Sequence, residues 1–241
     1  MARQRTPEGP PPEPAVQKLR VRYAKRGRLR FSSTRDFQRA LERALRRAGV
    51  PMAYSGGFHP HPKISYANAA PTGTASEAEF FEISLTRRVD PAAVAAALDQ
   101  ALPPGIDILE AVEAEPGALA DRLQGSVWQL TFRDLDDAAA AEVDRALAAL
   151  LAADVAEVTR MTKTGPRTFD TRSAVVRAAT TDGGRQVELV LRHTTPAVRP
   201  DDVLNAMRTL APSLPVDPPL TVRIVQGLLD EDSAEVRDPL A

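Results

Sequence analysis

Residues 54–63, with the sequence YSGGFHPHPK, concentrate the side chains that could bind a ligand or do chemistry. Paired glycines let backbone N–H groups approach an anion closely, and the lysine adds a point charge. The prolines stiffen the segment, and a preorganised loop loses less entropy on binding. The predicted pocket residues are Tyr54, Ser55, Gly56, Gly57, Phe58, His59, His61 and Tyr66. The composition predicts a loop that binds a ligand or RNA.

Two histidines stand in this loop, and they suggest two chemistries. His61 is the candidate general acid or base, because an imidazole exchanges protons near neutral pH. A loop histidine can equally serve only as a hydrogen-bonding partner of the backbone, so a catalytic role is left open. His59 and His61 supply two metal ligands without an evident third, so we expect no metal in this chain.

A strongly basic helix is predicted just before the loop. Ser33 and Asp36 have the spacing of a capping box, and apolar residues then recur at helical intervals up to Gly49. The opposite face is rich in arginine, and like charges one turn apart repel slightly unless an anion lies on them. The predicted phosphate-binding residues in this part of the chain are Arg30, Arg35, Arg39, Arg43, Arg46 and Lys63.

The charge of the chain is uneven. Residues 1–70 hold fifteen Lys and Arg against four Asp and Glu, a charge of +11, whereas the remaining residues carry −12. This asymmetry favours an anionic partner for the basic part, although the net charge of the whole chain is only −1.

A second basic island at 160–177 adds Arg160, Lys163 and Arg172 as predicted RNA contacts, with an ordinary charged hairpin as the alternative.

Composition excludes several classes of protein. The chain has 241 residues, of which 43% are hydrophobic, and this is enough for a folded core. It has no cysteine, which excludes disulfides, thiolate zinc sites and cysteine-ligated iron–sulfur clusters. No apolar run reaches the roughly 18 residues of a membrane span, and residues 1–15 lack the apolar segment of a secretory signal. We expect a cytoplasmic protein with no membrane contact.

The predicted elements follow the order βαββαβ twice, with an additional strand in the second copy. This order is typical of ferredoxin-like folds, so we expect an α+β protein with two tandem ferredoxin-like units and antiparallel sheets. The expected segments are a disordered leader at 1–15, units at 16–115 and 126–229, and a frayed acidic tail at 230–241. Alternation of apolar residues also predicts a strand or hairpin over 18–31 and a strand over 169–178.

Several of these strings resemble the radical-SAM-linked protein family. The similarity is densest over 28–82, and its most specific part is the string GFHPHPKIS at 57–65. The family is commonly encoded beside, or fused to, a B12-binding-type radical SAM protein. Thr34 departs from the pattern, because family members usually have histidine there. The resemblance implies a radical SAM protein as partner. An iron–sulfur cluster and SAM are expected only in that partner, and no cofactor in this chain.

Three functions fit these residues. The leading hypothesis is an accessory protein of a radical SAM enzyme that binds structured RNA (transfer or ribosomal RNA) and presents it for modification, without catalytic activity of its own. One alternative is a metal-independent endoribonuclease with His61 as general acid or base. The other is a scaffold that binds only the radical SAM protein. RNA affinity that falls steeply with salt distinguishes the first from the last.

Overall fold

The computed structural model describes residues 12–162, 165–215 and 217–241. This part of the chain holds four α-helices and eleven strands, so the prediction of an α+β protein is confirmed. Contacts divide the chain into two compact units, and the division falls between Ala120 and Asp121. Residues 1–11 of the predicted leader lie outside the described residues, and residues 12–15 form neither helix nor strand.

The first unit alternates strands and helices in the predicted order. Its elements are β1 (Gln17–Lys25), α1 (Thr34–Arg47), β2 (Ile64–Ala67), β3 (Ala75–Leu85), α2 (Pro91–Ala101) and β4 (Ile106–Glu113). The strands lie in the order β4-β1-β3-β2, and every neighbouring pair is antiparallel. Each helix therefore connects two strands that run in the same direction with a third strand between them.

The first strand is shorter than the alternation of apolar residues predicts. β1 ends at Lys25, and Gly27–Phe31 forms a 3-10 helix instead of continuing the strand. The guanidinium of Arg26 is held by an ion pair with Glu77. Gly27 then adopts a φ of +53°, a left-handed conformation that glycine takes at little cost. This turn carries the chain away from the sheet and towards α1.

Apolar side chains fix α1 against the sheet. Phe37, Leu41, Ala44 and Leu45 of α1 are buried in one cluster with residues of α2, β1 and β3. The ring of Phe37 stacks on that of Tyr23, with centroids 4.3 Å apart and planes 7° from parallel. Because these four side chains point inwards, the intervening arginines of α1 point outwards.

A buried ion pair lies beside this sheet. Arg20 in β1 is 1% exposed, and its Nε donates to Glu82 at 3.1 Å. Its Nη2 donates to the backbone carbonyls of Glu115 at 3.0 Å and Gly117 at 2.7 Å. Lys18 Nζ lies 2.6 Å from the second oxygen of Glu82. Arg20 therefore ties the segment after β4 to the sheet and is not available on the surface.

The second unit repeats this alternation with an inserted hairpin. Its elements are β5 (Gly125–Thr131), α3 (Asp137–Ala152), β6 (Glu157–Thr162), β7 (Gly165–Asp170), β8 (Val175–Thr181), β9 (Gln186–Arg192), α4 (Pro200–Leu210), β10 (Leu220–Asp230) and β11 (Glu235–Arg237). Four strands lie in the order β10-β5-β9-β8 with antiparallel neighbours, and β6 pairs with β7 separately. Helices α3 and α4 pack on the sheet through one apolar cluster.

The strand predicted over 169–178 is divided in the structure between β7 and β8. The carboxylate of Asp170 accepts hydrogen bonds from the backbone N–H groups of Ala156 (2.9 Å), Arg172 (2.9 Å) and Ser173 (3.1 Å). Burial raises the pKa of this carboxyl, but the hydrogen bonds outweigh burial and hold the pKa of Asp170 below its usual value. Such an aspartate turn ends β7, and periodicity alone does not detect it.

The C-terminal residues also differ from the prediction, because they are not frayed. β11 pairs antiparallel with the end of β10, so that Leu228 lies opposite Arg237. Asp230 forms the turn between the strands, accepting from the backbone N–H groups of Asp232 (3.1 Å) and Ser233 (3.2 Å). The acidic side chains that suggested a solvated tail here belong to a tight hairpin.

Replacing Arg20 by alanine should lower the free energy of unfolding by about 3–5 kcal/mol, because it breaks a buried ion pair and leaves two backbone carbonyls without their donor. Urea denaturation of the full chain measures this. The matched control is Arg88→Ala, which breaks an exposed pair with Glu113 and should cost less than about 1 kcal/mol. Equal losses in the two variants would contradict the assignment.

Candidate functional site

The candidate site is built on α1, whose start is fixed by the predicted capping box. Asp36 N–H donates to Ser33 Oγ at 3.2 Å, and Ser33 N–H donates to the Asp36 carboxylate at 3.4 Å. Hydrogen bonds from Ser33 lower the pKa of Asp36, and the charges of Arg39 and Arg35 lower it further. The helix therefore begins with an ionised carboxylate, which also suits the positive end of the helix dipole.

The outer face of α1 is a row of cations without acidic partners. This cationic face consists of the exposed residues Arg35, Arg39, Arg43, Arg46 and Arg47. Within residues 12–162, 165–215 and 217–241, none of these side chains makes an ion pair or a hydrogen bond. Some exposed arginines elsewhere pair with glutamates, as Arg88 and Arg177 do, whereas others, such as Arg87 and Arg133, have no ion pair or hydrogen bond within the described residues. Asp36 and Glu42 of the same helix therefore offset only part of the charge of this face.

The loop at 51–63 is held rigidly at its base. Ala53 N–H donates to Ser84 of β3 at 2.8 Å, and Lys63 N–H donates back to Ala53 at 2.8 Å. One step further out, Ser55 N–H donates to the His61 carbonyl at 2.8 Å, and His61 N–H donates to Ser55 Oγ at 3.0 Å. Residues 56–60 are left as an exposed hairpin tip. The rigid base sets where each loop side chain lies.

The structure brings this loop and α1 together around one cleft of about 250 Å³. The lining residues are Glu42, Leu45, Arg46, Val50, Met52, Tyr54, Pro60, His61 and Pro62. Three of the predicted site residues, Arg46, Tyr54 and His61, therefore line the same cleft. We name this pocket the α1–loop cleft. It places a carboxylate, a guanidinium, a phenol and an imidazole around an apolar floor.

Sequence reasoning missed the apolar floor and Glu42. The floor consists of Leu45 together with Val50 and Met52, which follow the end of α1. Their position depends on hydrogen bonds between the loop and β3, which no local pattern reveals. Glu42 had a sequence signal, because it and Asp36 are the two acids among the arginines of α1.

The other predicted loop residues lie outside the cleft. Phe58 is 60% exposed at the hairpin tip, beside Gly56, Gly57 and His59, which are also exposed. Lys63 is exposed at the base of the loop, and the side chain of Ser55 is used to hold the backbone of the loop.

Tyr66 also lies apart from the cleft. It belongs to β2, and its ring meets the edge of Phe37 with centroids 6.1 Å apart. Burial, followed by the charge of Glu42, raises the pKa of Tyr66 above its usual value. Tyr66 therefore packs against α1 through the ring of Phe37.

Arg30 is exposed enough to contact a ligand, but it has internal contacts as well. It lies in the 3-10 helix after β1, and its guanidinium donates to the Gly27 carbonyl at 3.0 Å. Its Cζ stands 4.3 Å from the ring centroid of Phe31, a side chain that is 58% exposed. Arg30 and Phe31 thus form a stacked pair beside the start of α1.

The second basic island is engaged in internal contacts. Arg160 pairs with Asp202, donates to the Ala197 carbonyl at 3.1 Å and stacks over Phe169 at 4.9 Å. Arg172 donates to two backbone carbonyls, at 3.1 and 3.4 Å. Lys163 lies outside the described residues. Arg160 therefore ties β6 to the start of α4, and Arg172 ties the segment after β7 to the end of α3.

No group of three or more His, Asp or Glu residues in the described part of the chain is close enough to hold a metal ion. Among the described helices, none combines the length and apolar character that crossing a bilayer requires.

The comparisons with known proteins concern the family and the fold. A family model described as "Uncharacterized protein conserved in bacteria (DUF2344)" matches residues 18–200. That description does not mention a radical SAM enzyme, so this link stays a prediction. No curated protein matches the chain. Among solved structures, an unknown protein from Galdieria sulphuraria is similar over 80% of this chain and 91% of its own, at 14% identity and a TM-score of 0.28, which is too low to carry an argument.

Proposed function

The chain belongs to the DUF2344 family of uncharacterized proteins conserved in bacteria, and we propose that it is a cytoplasmic accessory protein that binds structured RNA. It presents this RNA for modification to a radical SAM enzyme. The observation that carries the RNA-binding part is the cationic face of α1, with five exposed and unpaired arginines beside a rigid loop. Arginine suits phosphate because its planar fork matches two phosphate oxygens.

The spacing of the arginines supports contact with a nucleic-acid backbone. Arg35, Arg39 and Arg43 follow one another at four-residue intervals, a rise of about 6 Å along the helix axis for each step. Successive guanidinium groups therefore stand in a row on the same side of α1. A polyanion lying along this row replaces the repulsion between the arginines with attraction.

The architecture supports the proposal in a weaker sense. We infer that both units are ferredoxin-like, because each alternates strands and helices as βαββαβ and the strand orders β4-β1-β3-β2 and β10-β5-β9-β8 correspond. In the second unit the β6–β7 hairpin is an insertion in this pattern. Folds of this class serve many functions, so the site rather than the fold carries the argument.

The proposal of a radical SAM partner rests on the resemblance of residues 57–65 and of the α1 sequence to the radical-SAM-linked family. Because the chain has no cysteine, the iron–sulfur cluster and SAM belong to the partner.

We expect the tagged full chain to co-purify with a radical SAM protein from a native extract of bacteria that encode it. Retention after nuclease treatment indicates direct contact, and loss indicates bridging by RNA. Absence of a radical SAM protein from both samples would refute the partnership.

RNA affinity is expected to fall steeply with salt, because binding releases counterions from the phosphates. Replacing Arg35, Arg39 and Arg43 together by glutamine should reduce the slope of log affinity against log salt by about 2–3. Electrophoretic shift assays with total cellular RNA at several salt concentrations measure both quantities.

The matched control removes the same charge elsewhere. Arg87, Arg133 and Arg145 are exposed arginines outside α1, and their triple replacement by glutamine should leave the slope nearly unchanged. Equal effects of the two triple variants would mean that binding depends on net charge alone. No binding of cellular RNA by the unmodified protein would refute the proposed function.

A second function is favoured by one observation, which is that His61 shares the α1–loop cleft with Glu42 and Arg46. These are groups that a metal-independent endoribonuclease could use for proton transfer and for binding phosphate. This function predicts RNA cleavage in EDTA and a loss of about 10²–10⁴-fold in rate for His61→Ala. His59→Ala is the control, since His59 is an exposed loop histidine that does not line the cleft. No cleavage, or equal cleavage by both variants, would exclude it.

A further inference from the structure

The α1–loop cleft differs in chemistry from the cationic face beside it. Its base includes the nearly buried apolar side chains of Leu45 and Met52 and the half-buried Val50, whereas polar and charged groups line much of the rest. Phosphate gains nothing from such a floor, because transfer of a charged group onto apolar surface is unfavourable. The cleft therefore suits a part of the ligand that combines an apolar face with several polar edge groups.

The residues that line the cleft include surfaces on which a planar ring can stack. Tyr54, which is 38% exposed, stands on one side together with Pro60 and Pro62. Aromatic rings stack on such surfaces, and stacking against tyrosine is a common way to hold an unpaired base. The volume of about 250 Å³ is below the roughly 300–1,000 Å³ of pockets for drug-sized ligands. One ring system fits better than a whole nucleotide.

Two charged groups at the cleft are free to contact such a ring. Glu42 and Arg46 lie one helical turn apart and both line the cleft, yet they form no ion pair with each other. Over the part of the chain that the structure describes, neither side chain has a hydrogen-bond partner. Glu42 is half-buried and lines the cleft. A half-buried carboxylate without donors is a site that a ligand can satisfy.

We propose that the α1–loop cleft binds a single unpaired guanine base, with Glu42 accepting from the N1–H and N2 amino groups and Arg46 donating to the opposite acceptor edge. This inference rests on the proposed function, because the base is presented by RNA whose phosphates lie on the arginines of α1. Guanine has two adjacent donors that one carboxylate can accept, together with the O6 and N7 acceptors that suit arginine. The other bases do not combine these two edges, and uracil places a carbonyl on each side of its single N–H.

The test compares four RNA hairpins that share a stem and a uridine loop and differ in one central loop base, which is G, A, C or U. Fluorescence anisotropy with the full chain at fixed salt measures their affinities. We expect the G hairpin to bind about fivefold or more tightly than the others, the lower limit for a good bidentate contact with a base. Glu42→Gln should abolish this preference and leave the salt slope unchanged. Tyr54→Ala should weaken the binding of the G hairpin most.

Glu157→Gln is the matched control, because Glu157 is an exposed glutamate of the second unit that does not line the cleft. It should retain the preference. A thermal melt checks that each variant is folded. Competition with 5′-GMP distinguishes the source of the base. Competition by GMP and not by 5′-AMP shows that the base alone suffices, and a hairpin preference without competition shows that RNA must supply it.

The outcomes separate this inference from the proposed function. Equal affinity for the four hairpins, together with steep salt dependence, overturns the guanine site and leaves RNA binding in place. A preference for G that survives in both Glu42→Gln and Tyr54→Ala overturns its assignment to the cleft. Failure of all hairpins and of cellular RNA to bind refutes the proposed function and the guanine site together.

Discussion

The stacking of Phe37 on Tyr23 is the contact on which the candidate site depends. It places α1 on the sheet in one rotational setting, with Leu41 and Leu45 buried behind it. A helix rotated by one residue, about 100°, would carry the arginines towards the core and separate Arg46 from the loop. The burial of four apolar side chains of α1 therefore determines where the cationic face and the α1–loop cleft lie.

The same packing explains how a helix with so much charge of one sign can be stable. Like charges one turn apart cost a few tenths of a kcal/mol for each pair. Burial of a side chain such as Phe37, Leu41 or Leu45 contributes about 1.5–3 kcal/mol. The core therefore outweighs the repulsion on the outer face several times over. Because of this margin, α1 does not need acidic neighbours, and its arginines can remain available to an anion.

The sequence was sufficient to predict those features that arise from local patterns. The order of helices and strands, the capping box of Ser33 with Asp36 and the arginine face of α1 are in this group. The cleft could not be predicted, because Met52 reaches its floor only through hydrogen bonds between the loop and β3, such as that from Ala53 to Ser84. Turns controlled by single side chains were also missed, as Asp170 illustrates, since periodicity does not record which backbone N–H groups a carboxylate accepts.

Whether an arginine can bind an anion depends on the hydrogen bonds and ion pairs it already makes. The number of arginines in its segment is a weaker guide. Arg20 carries the same guanidinium group as the arginines of α1, yet it is buried and bound to Glu82 and two backbone carbonyls. Arg160 and Arg172 likewise use their guanidinium groups to hold the second unit together. A bias of the whole chain towards arginine would explain abundance at all these positions alike. It would not explain why five arginines without an ion pair or hydrogen bond stand in a row on one helix face, because other unpaired exposed arginines of the described chain, such as Arg87 and Arg133, lie in different segments. That row of unpaired cations is the physical ground for the proposal of an anionic ligand at α1.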